Sequence, residues 1–283
     1  MALLHMLMQR KCEGLIVAHL DHKLRTESGA EAHFVEQVAR RHRLEVVIGS
    51  DNVRARAKRR KQSIETAARD ARYEFFARVA GDRSCPRLVL AHHADDQIET
   101  FLFNLFRGSG SAGLAGMQPT VNRVVAGVEL TILRPLLGMW RAQIDEYVAR
   151  HAVEFLEDAS NMDLRHTRNR LRHELLPAIE RIFGRDVRGA IRRAAEILAA
   201  ENELLDAQTP SAGSELAVVT IGKLPLALQR RVLRAWLKAG DVPNVGFDEI
   251  ERVRGMIEGR TAKTNLAGGK HARRRAMKLF IEG

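Results

Sequence analysis

The chain has 283 residues, enough for one domain of ordinary size and a smaller second one. Hydrophobic residues at 45% argue against wholesale disorder, and two cysteines outside any CxxC pair argue against a disulfide framework or cysteine zinc site and for a cytosolic redox compartment. Lysine and arginine total 46 against 35 acids, a net +11 that favours polyanions such as RNA, DNA or acidic lipid headgroups, although an arginine-favouring genome would give the same excess.

In chain order, residues 2–10 read as a helix and 14–18 as a short apolar run typical of a buried parallel strand. The run ends in His19-Leu-Asp-His22. Residues 28–43 show helical periodicity, with Ser28 as a candidate cap, and 45–48 form the next strand. The stretch 54–61 holds six basic residues and no acid. Ser63 then caps a helix over 64–80. A third strand spans 87–91, followed by a helix over 94–106. Residues 108–113 are small and flexible, and a β-ribbon lies within 121–133, turning at Ala126-Gly127. Helices are expected over 139–151, 165–182 and 187–205, then a linker over 209–213. The tail reads as a strand at 216–221, helices over 226–239 and 247–258, and a hairpin of 262–266 with 276–281.

Strands alternating with helices predict an α/β fold with a parallel sheet, in which ligands bind beyond the carboxyl ends of the strands. The expected division is an α/β catalytic domain over 1–135, a helical extension over 136–208 and a small α+β domain over 209–283. No stretch approaches the roughly 20 apolar residues needed to span a bilayer, and a cytoplasmic protein with no membrane partner is expected.

Four constellations stand out. His92-His-Ala-Asp-Asp-Gln-Ile-Glu-Thr100 follows a strand and opens a helix, with Asp95 and Glu99 on one face. It could hold Mg²⁺ through Asp95 and Asp96, hold an ammonium group, or contact phosphate; a plain capping pattern explains it too. His19, Asp21 and His22 sit where a nucleotide or cation would be reached, or simply form a solvated loop. Arg107-Gly-Ser-Gly110 offers an arginine for phosphate beside flexible backbone, or a helix C-cap. Arg165, Arg168 and Arg172, with Arg170 beside them, read as a basic helix face suited to an RNA backbone, or as a solvated face. No GxxxxGK[ST] motif is present, which argues against a P-loop NTPase.

Taken together, the strings VAHLDHKLRTES (17–28), LAHHADDQIETFLFNLFRGSGSAGLAGM (90–117), LRPLL (133–137) and LEDASNMDLRHTRNRLRHELLP (156–177) resemble the tRNA(Ile)-lysidine synthetase family of the PP-loop ATP pyrophosphatases. The resemblance implies an adenine nucleotide α-hydrolase-like fold, with ATP and Mg²⁺ as cofactors. It implies ligation of free lysine to C2 of the wobble cytidine of a tRNA(Ile) with a CAU anticodon, releasing pyrophosphate and then AMP. Asp21, His92, Asp95, Asp96, Glu99 and Arg107 are the implied catalytic set. His19, Asp21, His22 and Arg107 are implied at the nucleotide, Asp95 and Asp96 at Mg²⁺, and Arg165, Arg168, Arg170 and Arg172 at the tRNA. A homodimer is an admissible assembly. Two other readings stay open: a non-catalytic tRNA-binding fragment, and a tRNA thiolase of the same superfamily.

One feature departs from the family pattern. Residues 1–5 resemble the helix that directly follows the family's SGGxDS phosphate loop, so the loop and its strand are expected upstream of Met1. Either the reading frame starts further upstream or the chain is a fragment. As numbered, the sheet is expected to lack its first strand and the chain to lack pyrophosphate release.

Overall fold

The computed structural model describes residues 1–24, 28–156 and 163–283. Residues 25–27 and 157–162, which fall within two of the strings quoted above, lie outside the described residues, as does the side chain of Ser28. Two compact units are present, Met1–Ala195 and Glu196–Gly283. Residues 136–195, expected to stand apart as part of a helical extension, belong to the first unit.

In the first unit, α1 (Ala2–Gln9) precedes β1 (Ile16–Asp21), and α2 (Ser28–Arg41) returns the chain to β2 (Glu45–Ser50). β1 and β2 pair in parallel, from Ile16 opposite Glu45 to Asp21 opposite Ser50. The basic stretch then forms α3 (Val53–Arg60), and α4 (Ile64–Asp82) follows. Ser63 caps α4, its hydroxyl accepting the Thr66 amide at 3.1 Å, as its position in the sequence suggests. β3 (Arg87–Val89) leads through an extended segment into α5 (Ala94–Phe106) and the short α6 (Ser111–Leu114). β4 (Thr120–Val125) and β5 (Val128–Leu133) form the expected ribbon. Ala126 and Gly127, both at positive φ, make its two-residue turn in the geometry that tight hairpins favour. β5 also pairs in parallel with β3.

The long helix α4 explains how these pieces cohere. One side packs Ala67, Ala71, Phe75 and Val79 against Leu20, Val53 and Ala57. The other packs Tyr73, Ala77 and Ala80 against Leu130 and Ile132 of β5. Among the described residues, β1 and β3 do not pair with each other. A small cleft lined by Ile16, Ala18, Phe76 and Leu88 lies between them. Among the described residues the parallel pairing is thus in two parts, β1–β2 and β3–β5.

The unit continues with α7 (Arg141–Arg150), α8 (Thr167–Arg170), a π-helical turn (Leu171–Leu175) and α9 (Leu176–Phe183). A single helix over 165–182 is therefore corrected: it starts two residues later and widens in the middle. Pro177 supplies the reason, since it has no N–H to donate and its ring crowds the carbonyl four residues back, that of His173. Gly184, at φ 62°, ends α9 in the left-handed conformation that glycine adopts without a Cβ clash. α10 (Arg188–Gln208) then runs across the division between the units.

The second unit contains β6 (Leu216–Ala217), α11 (Val218–Gly222), α12 (Leu226–Ala239), α13 (Phe247–Ile257), β7 (Lys263–Asn265), β8 (His271–Arg275) and β9 (Lys278–Glu282). Its antiparallel sheet has the order β6-β9-β8-β7. Trp236, Leu233, Leu237, Val253, Met256 and Leu279 fill its core. Two expectations are corrected here. The strand at 216–221 stops at Ala217, because Val218 and Ile221, three residues apart, are both buried in the core on a helical turn despite their β-propensity. The hairpin of 262–266 with 276–281 does not form: β8 lies between β7 and β9 and pairs with both. Among the described residues, no helix is long and apolar enough to cross a membrane.

Candidate functional site

The site gathers at the carboxyl ends of β1 and β3, where parallel strands leave backbone groups and loops open to a ligand. At the end of β1, Asp21 accepts the Lys23 amide at 2.8 Å, which folds the chain back and fixes the carboxylate beside His22. His22 Nε2 lies 3.4 Å from the Arg72 guanidinium on α4. Burial, followed by the charge of Arg72, holds the His22 pKa below its usual value; burial does the same to His19. Both rings are therefore biased toward the neutral form.

At the end of β3, His92 precedes His93, which starts α5. The His93 amide donates to Asp96 at 2.9 Å, satisfying one of the orphan donors of the first helical turn. The His93 ring lies 3.5 Å from both the Asp95 and the Asp96 carboxylates. Asp95 accepts the Arg141 amide at 2.8 Å and an Arg188 N–H at 3.2 Å. Burial would raise the Asp95 pKa, but the neighbouring His93 ring, the bond from the Arg141 amide and the charge of Arg188 lower it to about 2. Glu99, one turn further along, is only 3% exposed. It accepts from Arg172 Nε at 2.6 Å, and the same guanidinium lies 3.7 Å from Asp96. Burial outweighs Arg172 and keeps the Glu99 pKa raised.

Facing these acids is a cationic group that the sequence reading did not single out. Arg69 and Arg72 project from α4, Arg134 follows β5, and Arg168 comes from α8. Burial first, and then Arg134, Arg69 and Arg168, push the His92 pKa down to about 4. Burial, Arg69 and Arg168 likewise lower that of Arg72. The Nδ1 atoms of His22 and His92 and the Nε of Arg134 are buried with no hydrogen-bond partner among the described residues. Buried polar atoms of this kind are normally satisfied, and the crowded cations beside them suit a polyanion such as a nucleoside triphosphate. The only sequence signal for Arg69 and Arg72 was their three-residue spacing on a helix whose apolar stripe drew the attention.

The sequence-derived residues do not all converge. His19, Asp21, His22, His92, Asp95, Asp96 and Glu99 lie at strand ends or on the helix that follows. Arg107 lies at the far end of α5, stacked on the Phe103 ring at 5.0 Å. It lies eleven positions beyond Asp96, about 16 Å along the axis. The four RNA candidates also divide. Arg165 precedes α8 and is bound to Asp163, and Arg170 pairs with Glu174, both at the surface. Arg168 lies 3.8 Å from Glu65 and turns its charge toward His92, while Arg172 reaches inward to Glu99. Asp95 and Asp96 do not fit a Mg²⁺ site as they stand. Asp95 is committed to Arg141 and Arg188, and Asp96 to the His93 amide with Arg172 beside it.

Comparison with known proteins gives the family of the chain. Residues 1–179 match the family described as a PP-loop domain, and residues 216–280 the family described as a TilS substrate binding domain. A tRNA(Ile)-lysidine synthase from Geobacter sulfurreducens is 37% identical over 257 residues, which are 86% of this chain and 53% of that protein. One from Thermosynechococcus vestitus is 35% identical over 271 residues, 92% of this chain and 75% of that protein. The chain thus spans about half the length of the first relative and three quarters of the second. Among solved structures, a U34-tRNA thiolase from Methanococcus maripaludis, with its 4Fe-4S cluster, gives a TM-score of 0.52 at 11% identity, covering 70% of this chain and 67% of that one. That likeness concerns the fold alone. The strand-end site lies in the stretch with the PP-loop match, and the sequence relatives extend well beyond it, so the chain belongs to the tRNA(Ile)-lysidine synthase family of PP-loop proteins.

Proposed function

We propose that the protein ligates free lysine to C2 of the wobble cytidine of a tRNA(Ile) with a CAU anticodon, at the expense of ATP, in the cytoplasm. The observation that carries this reading is the division of the site into two halves of opposite charge. Arg69, Arg72, Arg134 and Arg168 crowd one side, and Asp96 and Glu99 the other.

In the first step the C2 oxygen of the base attacks the α-phosphorus of ATP and pyrophosphate leaves. Fixed cations beside the phosphates favour this step because negative charge builds on the leaving group. His92, kept neutral by burial, presents an imidazole that can exchange hydrogen bonds without adding charge. In the second step the lysine amine attacks C2, loses its proton and expels AMP. Asp96 and Glu99 are suited to holding a lysine ammonium, with Arg172 giving way as the counter-charge. Asp95, bound to Arg141 and Arg188, positions the start of α5. No step is assigned to Mg²⁺ on Asp95 and Asp96. Family membership favours ligation over thiolation or bare RNA binding.

The test is incubation of the protein with the tRNA transcript, ATP and radiolabelled lysine. Label entering acid-precipitable RNA only when ATP is present supports the reading. Absence of transfer under conditions where a relative is active refutes it.

A further inference from the structure

We infer that the outer face of α3, carrying Arg54 and Lys58 with Lys61 at its C-cap, docks the phosphate backbone of RNA beside the catalytic site. The inference rests on the tRNA-ligase reading for the identity of its partner.

The basic stretch is not uniform once folded. Val53 and Ala57 are buried against α4. Arg56 is held by Asp51 and Glu74, and Arg60 by Glu74. These four serve the fold. Arg54 and Lys58, four residues apart, share one helical face, Lys61 follows as the C-cap of the helix at φ 52°, and all three are exposed. No ion pair is recorded for any of them among the described residues. Compensation of the helix dipole accounts for cations in the last turn, where Lys58 lies, but not for Arg54. Arg54 is in the first turn, where the helix end is itself positive and no acid is present. Arg54 and Lys58 also repel one another at four-residue spacing, so the isolated protein gains nothing from this face. A polyanion lying along it would reverse that sign.

Its place in the fold selects the anion. α3 starts directly after β2, and its first amide, that of Val53, donates to the His22 carbonyl at 3.4 Å, while the Asp51 amide donates to the Asp21 carbonyl at 2.9 Å. The face therefore begins at the loop that carries Asp21 and His22, at the carboxyl ends of β1 and β2. Arg54 to Lys61 is seven positions, about 10 Å at the helical rise, comparable to about three phosphate steps along a nucleic-acid strand. By contrast, Arg10, Lys11 and Arg43 are also exposed but precede β1 and β2, at the opposite ends of the same strands.

That contrast supplies the experiment. The triple variants Arg54→Gln/Lys58→Gln/Lys61→Gln and Arg10→Gln/Lys11→Gln/Arg43→Gln each remove three of the eleven net positive charges. The binding constant for tRNA is measured by filter binding across a salt series for both and for the unsubstituted protein. The α3 triple variant should shallow the salt slope by about 2 to 3, and each α3 single variant by roughly 0.7 to 0.9, while the control triple leaves it unchanged. Thermal melts confirm that the exposed substitutions leave the fold intact. An unchanged slope in the α3 variants, or an equal change in the control triple, overturns the docking surface while tRNA binding by the unsubstituted protein upholds the functional reading. Failure of the unsubstituted protein to bind tRNA overturns the functional reading and the RNA partner together.

Discussion

Replacing Arg172 with alanine removes the guanidinium that Glu99 receives at 2.6 Å and leaves a carboxylate that is 3% exposed facing Asp96 without its counter-ion. Breaking a buried ion pair by deleting one partner costs about 3–5 kcal/mol. The Arg172 side chain is itself 32% exposed, so water reaches part of the vacated space and the lower end, roughly 2–4 kcal/mol, is the better expectation. For a unit of this size that is a fall in Tm of roughly 5–12 °C at neutral pH. The sign of its pH dependence follows from Glu99. Burial raises its folded pKa above the ordinary 4.5, and loss of Arg172 removes the main opposing influence. A raised folded pKa gives stability that is full below the ordinary value and is lost as pH rises through the folded one. The deficit of the variant should thus be small below the ordinary value of 4.5 and grow as pH rises above it, as read by circular dichroism melts from acid to neutral pH. Adding Glu99→Gln should restore much of the loss, because no buried charge is then stranded. A deficit that is equal at both ends of the range, or unaffected by Glu99→Gln, would show that Arg172 does not act through Glu99.

Further outcomes follow from the same geometry. The His92 imidazole should titrate near 4 in an NMR pH series, and a value between 6 and 7 would show that the burial and surrounding arginines described here are absent in solution. Asp95→Asn should lower stability by about 2 kcal/mol at neutral pH, since a carboxylate depressed from 3.8 to about 2 stabilises the fold above its ordinary pKa and loses that contribution as pH falls through about 2. Acid denaturation curves check this: the variant and the parent should converge below about pH 2. Gly49→Ala should destabilise by roughly 1–3 kcal/mol, because the new methyl would meet the Phe75 ring at 2.5 Å and force α4 away from β2. A urea midpoint equal to that of the parent would show that the interface yields without strain.

Local patterns in the sequence were enough to establish the class of fold and the strand ends at which to look. The apolar runs before His19 and His92, the cap at Ser63 and the paired turn residues Ala126 and Gly127 act through near neighbours, so their consequences are legible without a tertiary context. Pro177 was equally visible, and its effect on the helix around it could have been read from the missing amide alone. The family strings rested on the same local record and identified the chemistry to expect.

What tertiary structure alone decided is which charges meet. Arg172 and Glu99 are 73 positions apart, and Arg188 and Asp95 are 93 apart. Nothing in a helical spacing reveals that an arginine suited to an RNA backbone turns inward to a buried carboxylate. The same holds for Arg69, Arg134 and Arg168, which gather around His92 from three separate parts of the chain, and for Arg107, which the length of α5 carries away from the acids at its start. In the basic stretch, only the packing of α3 on α4 separates Arg56 and Arg60, held by Glu74, from Arg54, Lys58 and Lys61. Periodicity fixes which side of an element a residue occupies, whereas the energy of a charge depends on its burial and on the sign of what lies across from it, and both are set by long-range contacts.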